Sequence, residues 1–88
     1  GREMTYTDGM ARAMRSLDGH APKGFKVDII DNDQFIVVRA SERAFMSLPD
    51  EEKRRAVEYM VRVKKALESH GAIVMLSREG GEGTHGYN

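Results

Sequence analysis

Residues 25–40, FKVDIIDNDQFIVVRA, form two apolar runs on either side of a short polar segment. Strand-forming residues flank Asn32 and Asp33, two residue types that tolerate the positive φ of a tight turn. The pattern predicts a β-hairpin, with a two-residue loop at these positions or a four-residue loop that adds one residue on each side. Both loops predict the same pairing, in which Lys26 lies opposite Arg39.

The two faces of this hairpin differ, because successive side chains of a strand point to opposite sides. One face is wholly apolar and must be covered; it carries Phe25, Val27, Ile29, Ile36, Val38 and Ala40. The other face is mixed; it carries Lys26, Asp28, Ile30, Phe35, Val37 and Arg39. A three-residue loop would exchange the faces of one strand. We expect the functional surface on the mixed face.

Helical periodicity appears before and after the hairpin. Residues 9–17 place Met10, Met14 and Leu17 on one side, behind Thr7 or Asp8 as the N-cap. After a predicted helical turn in 41–48, residues 49–70 predict a long helix that Gly71 ends. The apolar arc of this helix is wider than one sheet contact needs; it consists of Ala56, Val57, Tyr59, Met60, Val61, Val63, Ala66 and Leu67.

The predicted fold is an α+β two-layer sandwich of order α-β-β-α-β. Residues 72–77, AIVMLS, form the third strand, and the crossover helix makes it parallel to the second strand. The second strand is apolar on both faces, which suits the centre of the sheet and favours spatial order 1-2-3 over the alternative 2-1-3. Both helices cover the apolar hairpin face.

An 88-residue chain is expected to form one domain. We assign residues 7–77 to that domain, 1–6 to a flexible N-terminus whose first three residues resemble a cloning remnant, and 78–88 to a flexible, glycine-rich tail. The chain has no cysteine, no membrane-length apolar run and no visible signal peptide, so we expect a soluble cytoplasmic protein.

Signals of catalysis and of cofactor binding are weak. The sequence has no glycine-rich nucleotide or phosphate loop, and its three histidines are far apart. Asp28, Asp31 and Asp33 cluster near the turn, but they lack the spacing of a calcium loop, and turn formation explains the last two. We therefore expect no catalytic residue, no metal and no cofactor.

An uncovered, partly apolar sheet face is typical of a binding surface. The predicted surface combines Lys26, Ile30, Phe35, Val37 and Arg39 with either Ile73 and Met75 or Val74 and Leu76 of the third strand, of which we select Val74 and Leu76. The alternative is that the first helix or the N-terminal residues cover this face. With the face open, the function is that of a non-catalytic protein-interaction or regulatory module.

Two kinds of partner fit this surface. The third strand is a sheet edge in either strand order and has no charge in residues 72–76, which favours a homodimer joined through that edge or through the mixed faces. The second kind is nucleic acid, with Phe35 stacking on a base and Lys26, Arg39 and Arg43 contacting phosphates. The net charge of zero decides neither case, since a local patch can exist on a neutral protein.

Overall fold

The computed structural model describes residues 6–79, which form an α+β sandwich of the predicted order. The helices are α1 (Asp8–Leu17), α2 (Glu42–Met46) and α3 (Asp50–Glu68), and a short 3₁₀ turn, Asp18–His20, follows α1. The strands are β1 (Val27–Asp31), β2 (Ile36–Ser41) and β3 (Val74–Glu79). The predicted fold class is therefore confirmed, and α2 is the helical turn expected after the hairpin.

The sheet has the spatial order β1-β2-β3. β1 and β2 are antiparallel, whereas β2 and β3 are parallel, as a helical crossover between them requires. β2 occupies the centre, as expected for a strand with apolar side chains on both faces. Both the favoured strand order and the parallel pairing are confirmed.

The predicted hairpin register is wrong by two residues. Val27 pairs with Ala40 and Asp28 with Arg39, so the positions opposite one another are not those expected, and Lys26 does not face Arg39. The faces are nevertheless correct, because a shift of two residues returns every side chain to its original side.

The turn explains the new register. Its tip is Asp33-Gln34, one position later than predicted, and Asp33 has the positive φ of 80°. Two side chains accept hydrogen bonds from backbone N–H groups of the loop. Asp31 Oδ1 accepts from the Asp33 N–H at 3.0 Å, and Asn32 Oδ1 accepts from the Phe35 N–H at 3.1 Å. Neighbouring Asx residues thus offer several turn positions, and local hydrogen bonds select this one.

The helix ends follow from the capping chemistry of the sequence. Thr7 is the N-cap of α1, where its Oγ1 accepts the Met10 N–H at 3.2 Å. α3 starts after Pro49, has three acidic residues in its first turn and ends two residues before the predicted boundary. Gly71 follows with φ 97°, a conformation that a residue with a Cβ adopts only with strain.

One hydrophobic core lies between the helices and the apolar face of the sheet. Met10, Ile36, Val38, Val63 and Leu67 are its most completely buried large side chains. Phe25 meets Tyr59 edge to face, with ring centroids 6.4 Å apart. The remaining buried members are Ala40, Ala56, Met60 and Val74. The predicted cover of the apolar face is therefore present, and α1 packs mainly on α3 rather than on the sheet.

The boundaries of the terminal segments differ slightly from those predicted. β3 begins two residues later than expected and continues through Arg78 and Glu79, which the sequence had placed in the tail. Tyr6, assigned to the flexible N-terminus, is half-buried, and its N–H donates to Asp31 Oδ2 at 2.9 Å. The rest of both predicted flexible segments, residues 1–5 and 80–88, lies outside the described residues.

Candidate interaction surface

The sheet side opposite the helices is an apolar surface that we call the open face. Strand alternation and the observed pairing place eight side chains there: Asp28, Ile30, Phe35, Val37, Arg39, Ile73, Met75 and Ser77. None of its five large apolar side chains belongs to the core or packs against it. α1, proposed in one alternative to cover this side, packs on α3 instead. The described helices therefore leave this face uncovered.

Exposure is greatest beside the β3 edge. Ile73 is 66% exposed and Met75 is 50% exposed, which are high values for large apolar side chains. Ile30, Phe35 and Val37 are half-buried, as side chains on an uncovered sheet are when their neighbours shield them. The result is a contiguous apolar strip that crosses all three strands, with Phe35 at its hairpin end.

The charged groups of the open face lie at the opposite end from the turn. Asp28 and Arg39 face each other across β1 and β2, with carboxylate and guanidinium 4.0 Å apart and both side chains exposed. The predicted opposition of two cations, Lys26 and Arg39, is thus replaced by an ion pair. Lys26 is exposed just before β1. The local charge is therefore mixed rather than a basic patch.

The structure divides the predicted surface residues into two groups. Lys26, Ile30, Phe35, Val37 and Arg39 lie on or next to the open face, as expected from strand alternation. Val74 is only 6% exposed and belongs to the core, and Leu76 lies on the helix side of the sheet at its edge, 42% exposed. The third-strand pair on the open face is the other alternative, Ile73 and Met75.

Little in the sequence could have chosen between these pairs. Residues 72–76 are apolar throughout, so alternation gives no inside or outside. At the junction of α3 and β3, the Ala72 N–H donates to the Leu67 carbonyl at 3.3 Å. This bond and the one from the Gly71 N–H to the Glu68 carbonyl form a local C-cap at Gly71, from which the chain enters β3 with Val74 facing the core.

The outer edge of β3 is a second exposed surface. The Ile36 N–H donates to the Ile73 carbonyl at 2.8 Å. Because alternate residues of a parallel strand direct both backbone groups to the same side, those of Val74, Leu76 and Arg78 point away from β2. In the described part of the chain, no strand pairs with this edge. The Arg78 side chain contacts Glu42, with Nε and Oε1 3.0 Å apart.

Ionisable groups with altered behaviour lie on the helix side, away from the open face. Burial raises the pKa of Tyr59, and the nearby carboxylate of Asp18 raises it further. Burial also raises the pKa of Tyr6, against the opposing charge of Arg15.

A shallow depression of about 420 Å³ lies between the end of α1 and the start of β1. Its walls include Met14, Phe25 and Tyr59, and its charged residues, Asp18, Lys23 and Lys26, are exposed at the rim. Across residues 6–79, no three histidine, aspartate or glutamate side chains group as metal ligands would. Asp31, near the turn, uses both carboxylate oxygens to accept backbone N–H groups.

The described helices also contain no segment that is long and apolar enough to cross a membrane. Comparison of the chain with models of protein families, with curated proteins and with solved structures found no match. The functional assignment of the open face and the β3 edge therefore depends on their own geometry and chemistry.

Proposed function

We propose that this protein is a small, non-catalytic protein-interaction or regulatory module that binds its partner through the open face. The supporting observation is the apolar strip that no described element covers: Ile73 and Met75 are 66% and 50% exposed and adjoin Ile30, Phe35 and Val37. Apolar side chains that are contiguous and exposed on one face are more typical of a binding surface than of a solvated one.

The charges support a protein partner over a nucleic acid. Asp28 partly neutralises Arg39, and Lys26 lies beside this ion pair rather than within a group of cations. A nucleic-acid surface of this kind would need several cations directed at phosphates and aromatic rings available for stacking. Phe35 is the one aromatic side chain on the described open face, and it is half-buried.

A photo-crosslinking residue placed at position 75 tests the proposal. We expect it to capture a discrete protein, and excess wild-type chain should compete for that protein, whereas a Val37→Lys variant should not. The same crosslinker at Arg62, an exposed position on α3, is the matched control. Calorimetry with the purified partner should then show a negative heat-capacity change, the signature of apolar burial.

Two outcomes would count against this function. The first is identical crosslinked products from positions 75 and 62, which would indicate non-specific contact. The second is salt-sensitive binding of labelled oligonucleotides that Lys26→Glu weakens and that competes with the crosslink, because this would make nucleic acid the partner.

A further inference from the structure

On the helix side of the sheet, the β3 edge adjoins an apolar side of α3. Tyr59 contacts Phe25, the residue that leads into β1, so the Tyr59 side of α3 faces the β1 side of the molecule. Val57 and Val61 are each two residues from Tyr59, which places them about 200° around the helix, on the opposite side. They are 50% and 38% exposed, and because α3 packs more on β3 than on β2, this side of the helix faces the edge that contains Leu76. We call Val57, Val61 and Leu76 the edge flank.

The charges along this flank are arranged so that the flank complements itself. Arg54 and Glu68 lie seven residues before and after Val61, or about two helical turns, so all three are in one line along α3. Within one chain Arg54 contacts Glu51 and Glu58, and Glu68 contacts Lys64, so both ends of the line carry exposed charges of both signs. A second α3 that runs antiparallel about Val61 would place its Glu68 beside Arg54, and its Arg54 beside Glu68. A parallel arrangement would place like charges together.

One twofold axis can relate both β3 and α3 to their counterparts in a second copy. The junction of α3 and β3 is the hydrogen bond between Leu67 and Ala72. Val61 lies about 9 Å from Leu67 along the helix, at 1.5 Å per residue. Leu76 lies about 13 Å from Ala72 along the strand, at 3.3 Å per residue. The two residues therefore lie within about one strand residue of the same level, and one twofold axis can pass close to both.

We propose that this edge is the interface of a symmetric homodimer in which two β3 strands pair antiparallel about Leu76. The backbone groups of Leu76 would bond to those of Leu76 in the second copy, and those of Val74 to those of Arg78, joining two sheets of three strands into one of six. The two α3 helices lie antiparallel above the seam and bury Val57 and Val61. The inference extends the proposed function, since it assigns a second copy to the edge and leaves the open face to another partner.

Light scattering with size exclusion at micromolar to submillimolar concentration tests the dimer. The wild type should have twice the chain mass, and Val61→Lys should have the monomer mass. Ile73→Lys, a matched control with greater exposure on the open face, should remain dimeric. Circular dichroism should show that all three proteins are folded.

A charge exchange tests the register of the helices. Arg54→Glu alone and Glu68→Arg alone each create two like-charge contacts in a homodimer, and each should weaken dimerisation about tenfold at low salt. A mixture of the two variants restores both opposite-charge contacts, so it should form a heterodimer with nearly wild-type affinity. A purely structural effect of either substitution would not be rescued by mixing.

Three results would overturn the inference. A wild-type monomer at all concentrations excludes the dimer but leaves the open face as a protein-binding surface, which the crosslinking experiment tests separately. A dimer that survives Val61→Lys but is lost in Ile73→Lys would place the second copy on the open face. Absence of rescue in the mixture would exclude the antiparallel register about Val61.

Discussion

Ile36→Ala is the sharpest test of how the sheet is covered. Ile36 is fully buried in the central strand, paired with Asp31 on one side and Val74 on the other. The substitution removes three carbon atoms, worth about 2.4 kcal/mol at about 0.8 kcal/mol per methylene. The cavity left behind adds to this, so we expect a loss of about 3–4 kcal/mol in the free energy of unfolding. Urea denaturation at a fixed protein concentration measures it, with an unchanged slope.

The matched control is Ile73→Ala on the open face. Ile73 is 66% exposed, so the same chemical change should cost less than about 1 kcal/mol. Equal losses at the two positions would show that the open face is covered or that the core is not where the structure places it. A loss below about 1 kcal/mol at Ile36 would refute the burial argument directly.

Two further predictions concern Tyr59 and the end of α3. The pKa of Tyr59 is raised above its ordinary value of 10.0, so the fold favours the neutral phenol. Its contribution to stability is complete below pH 10 and is lost as the pH rises through the raised value. The free energy of unfolding should therefore fall in alkali, less steeply in Tyr59→Phe, and the ultraviolet absorbance of the phenolate should report the late titration. Gly71→Ala should cost roughly 1 kcal/mol, because φ is 97° there although a Cβ would meet no atom within 4 Å. Gly19→Ala, equally open but without a positive φ, should cost less in the same denaturation assay.

The faces of the hairpin could be predicted because side-chain direction has a period of two. The same period explains why the register could not be predicted, because a shift by two residues leaves every side chain on the same face. The register depends on the hydrogen bonds that the side-chain oxygens of Asp31 and Asn32 accept from N–H groups of the turn, and the sequence offers three Asx residues in succession.

The third strand presents the opposite difficulty. Its existence and its parallel pairing followed from an apolar run after a helix that ends at a glycine. Which of its side chains point toward the helices could not be predicted, because Ile73, Val74, Met75 and Leu76 are all apolar. The side chains of the open face that are most exposed were therefore the ones that the pattern could not identify.

The order in which the sheet assembles follows from its connections. The hairpin joins neighbours in sequence, whereas the parallel pair joins Ile36 to Val74 across the whole of α2 and α3. Because closing a long loop costs more entropy than closing a short one, β3 should be the last strand to dock. Until it does, the backbone edge that a folding chain exposes is that of β2, the most apolar strand. Rapid docking of β3 against this edge would therefore limit misassembly between copies during folding.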